Sequence, residues 1–310
     1  MNKKALQADL LLLLTSCIWG FAFVAQRTGM EFLGPFTFNA IRFAMGSISL
    51  LPLIIFLRTK AKKNNPPGDE TKPALSFKTI LMCSLLAGIP LFGGASLQQI
   101  GMIYTTAGNA GFITSLYVVL VPIFGLFIGR KTGIPTWIGA AATLAGLFFI
   151  SQAESPGSLN HGDVLVALSA VFWACHVLIL DRLVKKIDPL VLSAGQFAWC
   201  AIFSLVPALF TESVTLEALK DALVPLLYSG LGSVGVAYTL QAVAQRHAPP
   251  AHASILLCLE SVFAALGGII ILAEPTSSRT FLGFAFMFAG MIATQWDVII
   301  GGFKKKAPQR

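Results

Sequence analysis

Charged residues are scarce in this sequence. Only 12% of its 310 residues are Asp, Glu, Lys or Arg, whereas a typical soluble domain carries about 25%. Hydrophobic residues make up 55% of the chain and the mean hydropathy is +0.77. This composition excludes an ordinary water-soluble domain and indicates a protein whose main solvent is lipid.

Motifs for nucleotides, metals and disulfides are also scarce. GxxxxGKS does not occur, and the single GxGxxG match, GLGSVG (230–235), lies inside a long apolar run, which disfavours ATP-driven work by this chain alone. The five cysteines are an odd number, all within apolar runs and without metal-ligand spacing, and the four histidines are scattered. Structural disulfides are therefore not expected, and the sequence predicts neither a metal nor a cofactor.

Long apolar runs fill most of the chain. A helix needs roughly 20 apolar residues to cross a bilayer, and these runs lack the alternation of a membrane β-barrel. The interval 79–129 is long enough for two crossings, with a polar break at YTTAGN (104–109). We predict an all-α integral membrane protein with ten transmembrane helices. The runs are 10–26, 32–57, 79–129, 132–153, 164–180, 189–211, 222–245, 248–273 and 280–296.

The basic residues divide unevenly between alternate loops. Eighteen of the 22 Lys and Arg residues fall in one set of loops, and the other set holds only Arg27, Lys220 and Arg279. Because cytoplasmic loops collect Lys and Arg, we expect both termini in the cytoplasm, a long cytoplasmic loop at 58–78 and a basic tail. We further predict a location in the inner membrane of a bacterium. Lipid headgroups, rather than nucleic acid, explain the net charge of +8.

The sequence contains a weak internal repeat. Asp9 and Trp19 recur as Asp163 and Trp173 at an offset of 154, and Leu120 recurs as Leu259 at an offset of 139. The halves, 1–153 and 154–310, would each hold five spans. Because five is odd, the second half crosses the membrane in the opposite sense. Two inverted five-helix repeats are typical of secondary transporters that work by alternating access.

Several segments resemble the EamA-type branch of the drug/metabolite transporter superfamily. They are the Asp–Trp signature of each half, IRF (41–43), LQQIGMIYTTAGNAGFITSLYVVLVPIFG (97–125) and LLCLESVFAALGGIIILAEP (256–275). The resemblance implies a ten-helix fold and transport of amino acids, nucleobases, vitamins, drugs or other small metabolites. Many members have Pro after the Glu of the ninth span, but this chain has Ser261. We therefore expect a helix break at Pro122, in the matching part of the first half, more than at Glu260.

Two charged residues inside apolar runs are the first site candidates. Glu260 lies near the predicted midplane, where a charge costs roughly 2.5 to 3.5 kcal/mol. It could bind a cationic group, carry a coupling proton or lock two helices together. Arg42 could bind an anionic substrate group, reach up to the outer headgroups or pair with Glu260 or a backbone carbonyl.

Polar and aromatic residues complete the set of candidates. Trp19 and Trp173 are predicted near mid-depth, either as an aromatic clamp or as packing between helices. Tyr117 and Gln98 are further candidate ligands, although such side chains usually bridge helices. His176, one turn after Trp173, could relay protons or serve as an interhelical partner.

We therefore predict a secondary transporter, not an enzyme, that exports small metabolites such as amino acids or related compounds, or drugs. An importer of a vitamin, nucleobase or nucleoside on the same fold is the alternative, and a membrane-embedded lipid-modifying enzyme is a remote one. The expected partners are a small-molecule substrate and the bilayer, and the chain would be a monomer or homodimer.

Overall fold

The computed structural model describes residues 3–64, 76–154, 161–274 and 277–294, and within these ranges every regular element is a helix. Helices suit a lipid environment because they satisfy their backbone groups internally. The α-helices are α1 (Lys3–Gly29), α2 (Pro35–Asn64), α3 (Phe77–Gly101), α4 (Ala107–Thr114), α5 (Tyr117–Phe127), α6 (Ile134–Glu154), α7 (His161–Leu183), α8 (Pro189–Thr211), α9 (Leu216–Asp221), α10 (Leu223–Leu227), α11 (Thr239–Ala244), α12 (Pro250–Leu257), α13 (Glu260–Ile271) and α14 (Ser278–Thr294). A π-helix, Tyr228–Tyr238, joins α10 to α11.

Eight segments of the described chain are long and apolar enough to cross a membrane. They are α1, α2, α3, α4 with α5, α7, α8, α10 through α11, and α12 with α13. The other two predicted spans correspond to α6, which is not among the eight, and α14, whose apolar part is the shorter Phe281–Gly290. The chain is a multi-pass membrane protein, and the count of ten spans stays a prediction. The basic tail and residues 65–75 of the predicted long loop lie outside the described residues.

Two spans are broken near their centres. The chain leaves α4 after Thr114 and starts α5 at Tyr117, and it leaves α12 after Leu257 and starts α13 at Glu260. The expected break at Pro122 is wrong, because α5 continues through that residue. A proline disturbs the turn that precedes it, and the interruption here lies upstream of Pro122.

The two breaks meet in space. The Ser115 hydroxyl donates to the carbonyl of Cys258 at 3.3 Å, and these residues are 143 positions apart. The sequence pairing of Leu120 with Leu259 implied an offset of 139. In the structure, the residues that correspond between the two broken spans are therefore shifted by about one helical turn from the sequence pairing. This shift makes Tyr117 the counterpart of Glu260.

The π-helix is rich in glycine, and this brings it close to α2. A Cβ atom at Gly46 would lie 2.3 Å from Val234, and one at Gly230 would lie 2.9 Å from Met45. The π-helix also offers backbone carbonyls to α1, because the Trp19 indole donates to the Ser233 carbonyl at 3.4 Å. Such π segments are often found at functional sites.

Helices of the first half pack against helices of the second half. α1 lies on α13 and the π-helix, α2 on α8, α3 on α7 and α8, and α6 on α14. Large apolar side chains cover the outside of the bundle, where Phe127 and Phe210 are each 85% exposed. The cavity described below therefore lies between the two halves, and the apolar exterior suits a bilayer.

Ion pairs join helix ends on one side of the bundle, here called the basic face. Asp181 at the end of α7 pairs with Arg130, and with Lys185 at 3.0 Å. His252 at the start of α12 contacts Asp9 of α1 at 2.8 Å. Cations near helix C-termini also interact favourably with the helix dipole.

Two carboxylates join helices on the other side, here called the distal face. Glu212, after α8, accepts from the backbone N–H groups of Phe36 at 2.9 Å and Thr37 at 2.7 Å. Glu274, after α13, accepts from the N–H of Ala107 at 3.3 Å. Each of these contacts caps the N-terminus of a helix in the first half with an anion from the second. We predict that the basic face is cytoplasmic.

Candidate substrate cavity

One cavity at the centre of the bundle is lined by all seven of the site residues predicted from the sequence. It lies beside both helix breaks, and its free space is about 470 Å³, of which about 30 Å³ is wide enough for the centre of a water molecule. The cavity is therefore narrow, and its lining side chains lie close to one another. The seven residues are Trp19, Arg42, Gln98, Tyr117, Trp173, His176 and Glu260.

Arg42 is buried, with only 2% of its surface exposed. Its Nε donates to Asn39 Oδ1 at 2.8 Å, and Asn39 is itself held by a bond to the Ala95 carbonyl at 3.1 Å. The guanidinium carbon lies 4.8 Å from the ring centre of Phe43, a cation–π arrangement. The suggestion that Arg42 reaches the headgroups is therefore wrong, because its side chain is held inside the protein.

Glu260 is the first residue of α13 and is 3% exposed. Its neighbour in the cavity is Tyr117, the first residue of α5. Among the described residues, the three ion pairs include neither Glu260 nor Arg42. The pairing of these two residues with each other, one of the alternatives for Arg42, is therefore not present, and within the described residues both side chains line the cavity without an ionic partner.

Aromatic rings form one wall of the cavity. Tyr238 lies between the two tryptophans of the repeated signature, with its ring centre 4.5 Å from that of Trp19 and 6.1 Å from that of Trp173. The Trp173 indole donates to Gln98 Oε1 at 2.9 Å. Because both indole N–H groups are bonded to protein, the tryptophans present mainly ring surface to the cavity.

Gln98 and His176 are each fixed by a second side chain. Gln98 Nε2 lies 3.5 Å from Gln26 Oε1, and His176 Nε2 lies 2.9 Å from Gln196 Oε1. His176 is thus an interhelical partner of α8 while its ring lines the cavity. In lipid, such bonds between helices contribute about 0.6 kcal/mol on average.

Two buried polar atoms of the cavity lining, Thr114 Oγ1 and Gln241 Oε1, have no hydrogen-bond partner among the described residues. The Tyr117 hydroxyl and the Glu260 carboxyl interact with each other. A buried polar atom without a partner costs about 1–3 kcal/mol. Two such atoms around one space are an arrangement that a polar ligand or water would satisfy.

The barrier between the cavity and the distal face is thin. Gln26 lines the cavity, and the next residue, Arg27, lines a second pocket that contains Glu31, Asn109 and Glu274 and has about 880 Å³ of free space. We call this the distal pocket. About one layer of side chains separates the two spaces.

The barrier towards the basic face is thicker. A pocket of about 850 Å³ on that face includes Asp9 and His252. On α1, Asp9 and the cavity residue Trp19 are ten residues apart, or about 15 Å at about 1.5 Å per residue, and on α12 His252 and the cavity residue Leu257 are five residues apart, or about 7.5 Å. Buried apolar residues such as Leu12 and Ala253 fill the space between them. The cavity is therefore closer to opening at the distal face.

Sequence reasoning missed some of the site. Tyr238 and Gln241 were not among the predicted site residues, yet both line the cavity. Asn39 was not noticed, although its spacing of three residues from Arg42 places the two on one helix face. Within the described residues, no group of three or more His, Cys, Asp or Glu side chains could hold a metal ion.

Comparison with known proteins identifies the family. The model of the EamA-like transporter family matches twice, over residues 6–152 and 160–295. An uncharacterized transporter of Archaeoglobus fulgidus is 30% identical over 94% of this chain and 87% of its own. The uncharacterized inner membrane transporter YedA of Escherichia coli is 22% identical, covering 89% of this chain and 87% of its own. A solved crystal structure matches with a TM-score of 0.73 at 17% identity, covering 93% of this chain and 96% of that one, which supports the fold alone. These matches confirm the resemblance seen in the sequence: the chain belongs to the EamA-like transporter family and is a membrane transporter.

Proposed function

We propose that this transporter exports a small solute that carries both charges, an amino acid or a related compound, or else an amphipathic drug. The observation that carries the proposal is that Arg42 and Glu260 line one cavity, both buried and neither ion-paired with any residue that the structure describes. A buried unpaired charge is costly. A solute with a carboxylate would pair with Arg42, and its ammonium group would pair with Glu260 once that carboxyl has released its proton.

The rest of the lining favours a solute with an apolar or aromatic side chain. The rings of Trp19, Tyr238 and Trp173 form a continuous wall, and aromatic surfaces attract both apolar groups and cations. Arg42 could hold a carboxylate through two parallel hydrogen bonds. A cationic drug would use Glu260 and the aromatic wall and leave Arg42 unmatched.

Alternating access is supported by equivalent contacts at the two faces. On the basic face, Asp9 of α1 contacts His252 of α12 at 2.8 Å. On the distal face, its repeat counterpart Asp163 of α7 accepts from Thr105, just before α4, at 2.7 Å. Each contact joins the first helix of one half to the broken span of the other. We infer that the two contacts act as gates and open alternately.

Proton coupling is part of the proposal. Glu260 would release its proton when the solute's ammonium group arrives and take one up when the solute leaves, so that export is exchanged against proton entry. Flux into proteoliposomes with and without a pH gradient tests this step. A flux that ignores the gradient would remove coupling and leave the binding site in place.

Transport in proteoliposomes tests the function itself. Vesicles are loaded with radiolabelled aromatic and aliphatic amino acids, and counterflow is measured for the wild type, Arg42→Gln and Glu260→Gln. We expect at least about a tenfold loss in each variant, since a hydrogen bond to a charged group is worth about 1.5–3 kcal/mol. Glu217→Gln, on the surface helix α9, is the matched control. Full counterflow in both cavity variants would refute the proposed site.

Direction is tested in cells. Overexpression of an exporter should lower the accumulation of a toxic amino-acid analogue and raise resistance to it. Sensitisation by overexpression would instead identify the alternative, an importer.

A further inference from the structure

A groove on the outside of the bundle lies between α5 and α7, near the basic face. It has about 650 Å³ of free space, and both helices belong to candidate membrane spans. Its walls are almost wholly apolar: Phe124 and Phe127 from α5, and Cys175 and Ile179 from α7. Because a bilayer surrounds this surface, an acyl chain is the apolar group available to fill the groove.

The groove has a cation at its end. Arg182 lines it and lies seven residues after Cys175, on the same face of α7. Arg182 is exposed, and among the described residues no carboxylate pairs with it.

The neighbouring charges leave this end of the groove positive. Asp181 is 1% exposed and is already paired with Arg130 and Lys185. This cluster holds two cations and one anion, and Arg182, next to Asp181 in the sequence, adds a further positive charge. Basic pockets between transmembrane helices on the cytoplasmic side are suited to anionic headgroups.

We propose that the α5–α7 groove binds one anionic phospholipid of the leaflet at the basic face, with its phosphate on Arg182 and an acyl chain between Phe127 and Cys175. The headgroup contact uses charge-assisted hydrogen bonds from the guanidinium to phosphate oxygens. Phosphatidylcholine offers a phosphate too, but its own cation offsets that charge, so the site favours a lipid with net negative charge.

The position of the groove links a bound lipid to the central cavity through the two helices that form the groove. α5 begins with Tyr117, and α7 carries Trp173 and His176, all three of which line the cavity. A lipid wedged between α5 and α7 would fix the distance between these helices. Occupancy of the groove therefore influences how easily the cavity widens.

Native mass spectrometry of the full chain in detergent tests the binding without using transport. Phosphatidylglycerol or phosphatidylcholine with the same acyl chains is added, and the lipid-bound fraction is measured. We expect wild-type protein to retain phosphatidylglycerol and Arg182→Gln to bind it at least about fivefold less, because the charge-assisted contact to phosphate is lost. Arg58→Gln is the matched control: Arg58 is an exposed basic residue near the C-terminal end of α2, away from the groove, and this variant should bind like the wild type.

A second variant separates the groove from charge alone. Cys175→Phe fills the apolar slot and keeps Arg182, so it should also reduce retained phosphatidylglycerol. Unchanged binding in Cys175→Phe would show that the acyl chain does not lie in the groove. Unchanged binding in Arg182→Gln would show that Arg182 does not contact the headgroup. Equal retention of the two lipids, or a protein dimer that replaces the lipid adduct, would also reject the proposal. Because the readout is lipid binding, these results stand whether or not the proposed export function holds.

Discussion

At the scale of single residues, the surroundings of Arg42 explain how an arginine is kept in an apolar span. The Asn39 amide accepts from Nε while the Phe43 ring covers the guanidinium. This leaves the terminal nitrogens of the guanidinium available to the cavity. Charges interrupting an apolar run made both Arg42 and Glu260 visible in the sequence, whereas Asn39 and Tyr238 look like ordinary residues until the fold places them.

The hydrogen bond from Arg42 to Asn39 should matter for substrate affinity. Asn39→Ala removes the acceptor that orients the guanidinium, so we expect KM to rise at least about threefold with a smaller change in the maximal rate, because part of a hydrogen bond to a charged group, worth about 1.5–3 kcal/mol, is lost. Concentration-dependent counterflow measures both quantities. Ser49→Ala removes a side-chain bond on the same helix away from the cavity and serves as control. An unchanged KM in Asn39→Ala would mean that Asn39 does not orient Arg42.

Glu274 should give the protein's stability a defined pH dependence. Burial raises the pKa of this carboxyl above the ordinary glutamate value, although the N–H groups of Ala107 and Gly108 and the charge of Arg27 act the other way. Glu31 also lines the distal pocket. Because the folded state binds the proton more tightly than the unfolded state, the carboxyl's contribution to stability falls as pH rises.

Replacement by a neutral amide isolates this effect. The melting temperature of the wild type relative to Glu274→Gln should fall from about pH 5 to about pH 8, since only the wild type must ionise a half-buried group. Differential scanning fluorimetry in detergent measures it, with Glu217→Gln as an exposed control. A difference that stays constant, or that rises with pH, would contradict the assignment.

At the scale of elements, the contact between α1 and α13 depends on a glycine. A Cβ atom at Gly20 would lie 2.2 Å from Phe263 Cβ and 2.7 Å from the Glu260 carbonyl. Gly20→Ala should therefore force α13 outwards and cost about 1–3 kcal/mol. Thermal unfolding measures the loss, and Gly232→Ala is the control because a Cβ atom there meets only Ile18 at 4.0 Å. Equal melting temperatures for the two variants would show that this contact yields without cost.

How much of these elements the sequence could predict depends on the kind of signal. Helices were predictable from apolar runs, and the pairing of the halves from Asp9 and Asp163. The helix breaks were not predictable, because the interruptions at Ser115 and Cys258 contain no glycine or proline. Pro122 indicated a break further along the span than the one observed. The π-helix was also unpredictable, since its glycines fit close α-helical packing equally well. In each case the outcome depends on contacts between helices that no local pattern contains.

At the scale of the whole molecule, the two faces differ in the thickness of the barrier over the cavity while sharing one kind of contact. Asp9 on the basic face and Asp163 on the distal face are repeat counterparts, and both hold the start of a broken span. Weakening one contact should favour the state that is open at that face, because the substitution removes a stabilising interaction only from the state in which that face is closed.

Access to a cysteine in the cavity tests this symmetry. Thr114 lines the cavity and is 3% exposed, so Thr114→Cys, in a chain whose five natural cysteines are replaced, reports entry of a membrane-impermeant thiol reagent from either side of oriented vesicles. Asp163→Asn should raise labelling from the distal face by at least about twofold, and Asp9→Asn should raise it from the basic face, since each variant weakens one of the two gates. In the Thr114→Cys protein with both gates unaltered, labelling should be faster from the distal face, where the barrier is about one layer of side chains. Changes of the same sign at both faces in either variant would mean that the contacts hold the bundle together without controlling access, and the two halves would then not act as opposed gates around a common site.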